Sequence, residues 1–446
     1  MALPTVCVIG AGSSGIAAAK ALHVRGFDFD CFEKSDRVGG NWVYGNRNGM
    51  SSAYRSLHIN TSRERMEYAD FPMPREYPDF PHHTHIAAYF DAYVDHFGFR
   101  PRIAFGTGVA HASLESGRWR VELEGGETRS YDALMVANGH HWDPRWPEPP
   151  FPGTDEFAGV QMHSHDYKGE DPAFFRDKRV VVLGMGNSAM DIAVEASFSA
   201  ARVFLAARRG AWIIPKYALG RPLDQISTTP KVPFAVKQRV LERLVRTVVG
   251  PPERYGLPKP DHGLLHAHPT VSDDVLSRIA HGEIAPRPNI ARLTRSGVVF
   301  ADGTEEPADV VVYCTGYKVT FPFFDPGFVS APDNDLPLFR RVFHPDVALL
   351  YFIALLQPLG ATMPIAEAQS EWVCDHLAGV YALPPRAEML ADIARERTAM
   401  RRRYVASKRH TMQVDFDDYL FDLRRERRRG RRRAGRMAGR AAPAPH

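Results

Sequence analysis

The first hydrophobic pattern along the chain is a continuous apolar run broken at glycine, then a helical stretch, then a second apolar run. Thr5–Gly10 reads as a buried strand with β-branched residues, Gly10–Gly15 as a tight loop, Ile16–Val24 as a helix and Phe27–Phe32 as a second strand. The same grammar returns as a strand at Arg179–Leu183, a loop at Gly184–Ala189, a helix at Met190–Ser197 and a strand at Arg202–Ala206. A fainter echo joins the two halves. Trp119–Asn138 and Val298–Thr315 each read as an alternating strand, a glycine turn and a buried strand, and they end at Gly139 and Gly316. A strand that stops at glycine on the carboxyl edge of a parallel sheet lets backbone approach a ligand closely. The fold class that follows is α/β, with two Rossmann-like dinucleotide-binding domains.

Breaks in the pattern set the expected organisation. Pro144, Pro147, Pro149, Pro150 and Pro152 form a stiff connection before residue 157, and Pro286 and Pro288 precede the second alternating strand. The expected order is a first domain over 1–157, an inserted domain over 158–285, a return to the first domain over 286–423, and a tail over 424–446. The tail loses apolar periodicity and is expected to be disordered. Val347–Leu356, the longest apolar run, ends at Gln357 and Pro358, far short of the ~20 residues that span a bilayer, so it reads as buried strand or core.

Composition changes this picture in two places. With 446 residues, 44% hydrophobic and 24% charged, the chain has the make-up of an ordinary globular enzyme. Its formal charge of +4 misleads, because residues 424–440 hold ten arginines and one glutamate, which leaves the body mildly acidic. Cys7, Cys31, Cys314 and Cys374 contain no CxxC pair, which disfavours a redox dithiol, a zinc site and a disulfide framework and suits a reducing cytoplasm. No metal site is expected. The N-terminus lacks the basic start and cleavage site of a secretory signal, so export is not expected.

The glycine loops carry the chemistry. Gly10, Gly12, Ser13 and Gly15 follow a strand and open a helix, where backbone amides can face a pyrophosphate, and Glu33 ends the second strand where a carboxylate can accept from a ribose. Gly184, Gly186 and Ala189 form the second loop, with Asn187, Ser188 and Asp191 as polar neighbours. Arg208 and Arg209 stand where an NAD site would carry an acid, and guanidinium groups suit a 2′-phosphate, so NADPH is favoured over NADH. Two sites in one chain suggest FAD at the first and NADPH at the second, with hydride passing between them.

Phe157–Tyr167, reading FAGVQMHSHDY, resembles the FxGxxxHxxxY/F signature of flavin-containing monooxygenases, at Phe157, Gly159, His163 and Tyr167. Further segments resemble the same family in the same order: Gly39–Trp42, Ser56–Thr61, Asp70–Pro74, Arg208–Trp212, Gln357–Gly360 and Arg409–Thr411. The resemblance covers residues 5 to about 423. It implies an FAD-dependent NADPH monooxygenase with the NADPH domain inserted into the FAD domain. Such an enzyme oxygenates a nucleophilic nitrogen or sulfur of a small molecule through a C4a-hydroperoxyflavin formed with O2, as in N,N-dimethylaniline monooxygenase activity. It also implies that Asn60 faces the flavin and NADP near the reacting centre, that Gly40, Asn41, Trp42, Thr61 and Gln357 serve FAD, and that His163 couples domain geometry to NADPH or is simply structural.

A Baeyer–Villiger ketone monooxygenase has a related signature that typically ends in Trp, where this chain has Tyr167. A flavin disulfide reductase would need the missing cysteine pair. A nucleotide-sensing or nucleic-acid-binding protein would rely on the arginine tail, which can also touch an anionic surface or stay solvated. Several animal relatives end in a hydrophobic anchor, whereas arginines stand here and no integral membrane segment is expected. A homodimer is compatible with the sequence, which leaves both oligomeric state and substrate open.

Overall fold

In the computed structural model, residues 3–226, 229–404 and 410–441 are described. The elements that matter, in chain order, begin with β1 (Val6–Ile9), α1 (Ser13–Val24), β2 (Phe29–Phe32), β3 (Ile103–Ala104), β4 (Ala133–Val136) and β5 (Val160–His163). They continue with β6 (Arg179–Leu183), α2 (Asn187–Ser197), β7 (Arg202–Ala207), β8 (Ile284–Pro288), β9 (Val310–Tyr313), β10 (Leu350–Phe352), α3 (Met363–Leu377) and α4 (Phe416–Ala441).

Two compact units result, one of residues 1–51, 61–140 and 319–446, the other of residues 52–60 and 141–318. The first holds a parallel sheet in the order β10-β4-β1-β2-β3. Its strands are buried on both faces, as continuous apolar runs such as Val6–Ile9 require, and an antiparallel meander over 109–131 packs Trp119 and Val121 against Leu134, Phe321 and Phe352. The second unit repeats the plan as β8-β7-β6-β9-β5, also parallel, with its own meander over 290–307. In each unit the strand after the glycine loop's own strand is reached through a helix, and the strand on the other side arrives from the meander. That is the internal echo legible in the sequence.

The expected boundaries at 157 and 285 are corrected. The chain enters the second unit at residue 141 and leaves it after residue 318. Asp143–Pro144 pairs with Tyr317–Lys318, and β9 lies inside the second sheet, between β6 and β5. Pro286 and Pro288 do not mark a return to the first unit. They sit in β8, an edge strand, where a residue without an N–H breaks no ladder on its open side. Ser52–Asn60 also belongs to the second unit, a nine-residue excursion that the sequence did not announce.

The expected disorder of 424–446 is corrected as well, with 442–446 lying outside the described residues. α4 is a helix of 26 residues that runs through most of the arginines. Arginine is a good helix former, and charge pairing here replaces the apolar periodicity whose loss suggested disorder. Asp375 on α3, almost fully buried, accepts from Arg25 at 2.7 Å, Arg427 at 2.8 Å and Arg431 at 3.0 Å, and these cations hold its carboxyl below the usual range despite burial. Arg427 also meets Glu371 at 3.0 Å, and Arg433 meets the buried Glu426 at 2.5 Å. Gly430 is where α4 crosses the Tyr381 ring, since a Cβ there would lie 1.9 Å from Cε2.

Candidate dinucleotide sites

In the first unit the loop after β1 is shaped by what its glycines exclude. Gly10 has φ 97° and donates to Phe32 O at 2.8 Å, and a Cβ on Gly15 would sit 1.7 Å from Gly10 O. Gly12 is the N-cap of α1, whose N-terminus receives no side-chain cap, so the first-turn amides of Ser13 and its neighbours are free to meet an anion. The Gly39–Trp42 segment lies on this loop: Gly39 N–H donates to Ala11 O at 3.0 Å, and a Cβ on Gly40 would fall 3.0 Å from Gly12 Cα. Asn41 and Trp42 follow in a 3-10 turn, and Ser51 Oγ donates to Asn41 O at 2.9 Å.

Glu33 ends β2, is 5% exposed, and accepts from the amides of Ala11 and Ser35, both at 2.7 Å. Burial pushes its carboxyl up while the two amides pull it down. The amides fix both oxygens beside the loop, and each oxygen keeps a lone pair for a ribose hydroxyl. Thr61 is the first residue of the returning chain, and Gln357 starts a short strand paired with Gln413 beyond β10. The glycines that only backbone can approach, the uncapped helix and the fixed carboxylate fit an adenine dinucleotide.

The second unit repeats these devices. Gly184 has φ 144°, with Cys314 O 2.6 Å from where a Cβ would be, and Gly186 is the uncapped N-cap of α2. Ala189 is fully buried. Asn187 braces the loop from outside, its Oδ1 accepting from Val271 N at 2.9 Å. Ser188 lies in the first turn of α2. Asp191 is turned elsewhere: its carboxylate accepts from the Tyr54 hydroxyl, and burial raises it from 3.8 to about 6. Arg208 and Arg209 follow β7 and are exposed; Arg209 lies 3.8 Å from Asp261, while Arg208 makes no ion pair among the described residues. The donor set left facing out at this strand end is cationic, which fits a phosphate-bearing ribose better than a plain one.

The matched positions of the signature at Phe157–Tyr167 are packed within the second unit. Phe157 packs into the core with Val181 and Phe204, and a side chain on Gly159 would strike Asp309 O at 2.5 Å. His163 ends β5 fully buried, its Nδ1 accepting from His165 N at 3.0 Å, and burial lowers its pKa to about 4, so it is neutral and no proton shuttle near pH 7. Tyr167 donates to Glu195 on α2 and stacks on Phe175 at 5.4 Å. The signature thus fastens the sheet edge to the helix that opens at the second glycine loop.

Sequence reasoning missed Tyr54. It is 5% exposed, lies 6.3 Å from the Tyr167 ring, and reaches Asp191 one helical turn before Glu195. Together with Arg55 N–H donating to Lys168 O at 2.8 Å, it binds the Ser52–Asn60 excursion to the second unit. Asn60 is the last residue of that excursion, half-buried, and caps no helix, since Ser62 is the N-cap of the next one. Only the Ser56–Thr61 motif hinted that this stretch mattered.

All four cysteines are free thiols, and burial pushes Cys314 and Cys374 up to about 12, so neither is a thiolate at neutral pH. Among the described residues no group of His, Cys, Asp or Glu is placed to hold a metal, and no helix is long and apolar enough to cross a membrane.

Two dinucleotide cradles of this kind in a single chain fit an oxidoreductase that binds two adenine dinucleotides. The comparisons narrow the class: the chain belongs to the FMO-like family, described as flavin-binding monooxygenase-like, which it matches over residues 4–427. It is 38% identical to flavin-containing monooxygenase 5 of Rattus norvegicus over 95% of this chain and 82% of that protein. It is 36% identical to the dimethylaniline monooxygenase [N-oxide-forming] 2 of the same species, over 94% and 82%. Among solved structures, the S-allyl-L-cysteine S-oxygenase from Allium sativum is 26% identical with a TM-score of 0.71, covering 99% of this chain and 94% of that one. The protein is an FAD- and NADPH-dependent monooxygenase.

Proposed function

We propose that the first unit holds FAD, that the second holds NADPH, and that the substrates are small molecules with a nucleophilic nitrogen or sulfur. The observation that carries this is the pair of complete cradles, each an uncapped helix behind glycines that tolerate no side chain, with a carboxylate at one ribose position and arginines at the other. The printed activities of an N-oxide-forming and an S-oxygenating relative support the choice of nitrogen or sulfur. Bound FAD supplies the redox chemistry: with NADPH and O2 it gives one oxygen atom to the substrate and the other to water.

The chain's own residues bind and orient. Amides at Gly12 and Ser13 meet the pyrophosphate of FAD, and Glu33 accepts from its ribose. Gly40, Asn41, Trp42, Thr61 and Gln357 line the flavin. Amides at Gly186, Asn187 and Ser188 meet the pyrophosphate of NADPH, and Arg208 holds the 2′-phosphate. Asp191 acts on that site through Tyr54 and helix α2. Asn60 serves the reacting end of the flavin, where an amide can donate and accept without titrating. His163, neutral and buried, keeps the geometry of the NADPH unit. A cytoplasmic location, suited to four free thiols, and a homodimer belong to the same proposal.

The test is turnover with NADPH and O2 on a panel of N,N-dimethylaniline, a dialkyl sulfide and a cyclic ketone. N-oxide and sulfoxide in step with NADPH consumed support the reading. Ester or lactone from the ketone, with no heteroatom oxide, would favour Baeyer–Villiger chemistry instead.

A further inference from the structure

The arginine run is a fixed surface rather than a loose tail, which changes what it can do. α4 is held along one side by Phe416, Tyr419, Leu423, Glu426 and Gly430, all buried. Counting 100° per residue, Arg425, Arg428, Arg429, Arg432 and Arg436 fall within an arc of about 100° on the opposite side. All five are exposed, and none has a carboxylate partner among the described residues. Like charges at i,i+4 weaken a helix, so a face of this kind works against the fold that carries it. Phe421, 37% exposed, lies on the same arc and extends the stripe to about 22 Å.

We propose that this face of α4 is a peripheral docking surface for an anionic phospholipid membrane. Guanidinium groups pair with lipid phosphates in two-point fashion, and a row of them along a rigid helix meets a flat headgroup layer at once. Phe421 adds an apolar ring at the end of the row that can enter the headgroup boundary. Between Phe421 and Arg436 the outward arc carries arginine and one exposed aromatic ring, and that ring has a place in a headgroup boundary but none on the phosphate backbone of a duplex, which favours a lipid layer over double-stranded nucleic acid. The rest of the chain is mildly acidic, so a negative surface attracts α4 and repels the body, which orients the encounter. Attachment through these charges is reversible and salt-sensitive.

The experiment is co-sedimentation of the full FAD-loaded chain with phosphatidylcholine vesicles, with and without phosphatidylserine. Binding is expected only to the phosphatidylserine vesicles and is lost in high salt. Each arginine near such a surface is worth about fivefold in partitioning, so R425Q/R428Q/R429Q/R432Q should lower it by roughly 600-fold. The same four positions changed to lysine should retain most of it. NADPH turnover should stay as in the parent in both variants, because these side chains contact neither cradle, and the melting temperature should not fall, since the glutamine variant only relieves like-charge pairs. No association with phosphatidylserine vesicles, association that the glutamine variant leaves unchanged, or tighter binding to duplex DNA or RNA than to vesicles would each overturn the proposal.

Discussion

Tyr54→Phe is the substitution whose effect the structure sets most closely. Phenylalanine keeps the ring against Tyr167 and removes only the hydroxyl that donates to Asp191. Among the described residues that hydroxyl is the one hydrogen-bond donor to the Asp191 carboxylate. Burial raises Asp191 from 3.8 to about 6, and the bond from Tyr54 pulls against that rise. Between these values the folded state binds more protons than the unfolded one, so the contribution of Asp191 to stability is full below pH 4 and falls as pH rises through 6. At pH 8 the lost bond is to a buried anion and costs about 1.5–3 kcal/mol; at pH 4 it is a neutral bond and costs about 0.5–1.5 kcal/mol. Without the donor Asp191 holds its proton more tightly, and each tenfold change in proton affinity widens the gap between the two conditions by about 1.4 kcal/mol. Urea unfolding of parent and variant at pH 4 and pH 8 measures both losses. The same change frees the Ser52–Asn60 excursion from α2, so NADPH consumed without product should increase. Equal destabilisation at the two pH values, or a greater one at pH 4, would mean that Tyr54 does not hold a buried Asp191 carboxylate.

Other expectations are simpler. Gly15→Ala places a methyl 1.7 Å from Gly10 O, so the purified protein should carry little flavin; a parental ratio of flavin to protein absorbance would count against the cradle. Glu33→Gln turns an NH2 toward one of two backbone donors and removes a ribose acceptor, which should weaken FAD binding by about 5- to 150-fold in a titration of the apoprotein. Arg208→Ala should raise KM for NADPH by about 10- to 100-fold and leave KM for NADH nearly unchanged, and equal losses for both would remove Arg208 from the 2′-phosphate. In Asn60→Asp the added charge should divert reducing equivalents to hydrogen peroxide while flavin content stays near the parent's, and unchanged coupling would take Asn60 out of the reaction.

Where residues were legible from the sequence, a local rule had only one way to be satisfied. Gly10, Gly15 and Gly184 stand where a Cβ would collide with a carbonyl, so their spacing between an apolar strand and a helix carried the fold by itself. Glu33 was placed by the length of one strand–helix–strand unit, and the structure turns its carboxylate onto the loop. Helix α2 starts three residues before the sequence suggested, because its cap is Gly186 and its first turn is polar. What stayed hidden depends on partners far along the chain. Pro286 and Pro288 look like a boundary until the sheet shows β8 at an edge. Ser52–Asn60 has no period of its own, and Tyr54 is informative only beside Asp191, which is 137 residues away. The arginine run looked solvated because its order comes from Asp375 and Glu371 on another helix.

In the proposed reaction this chain uses NADPH and FAD to place one oxygen atom on a nucleophilic nitrogen or sulfur. Mass spectrometry of products formed under isotopically labelled O2, with NADPH consumption and hydrogen peroxide measured in the same reaction, tests it most directly. The expected product is an N-oxide or sulfoxide with a single labelled oxygen, formed in proportion to NADPH and with little peroxide. Labelled peroxide accounting for all the NADPH, with no oxygenated amine or sulfide, would contradict it.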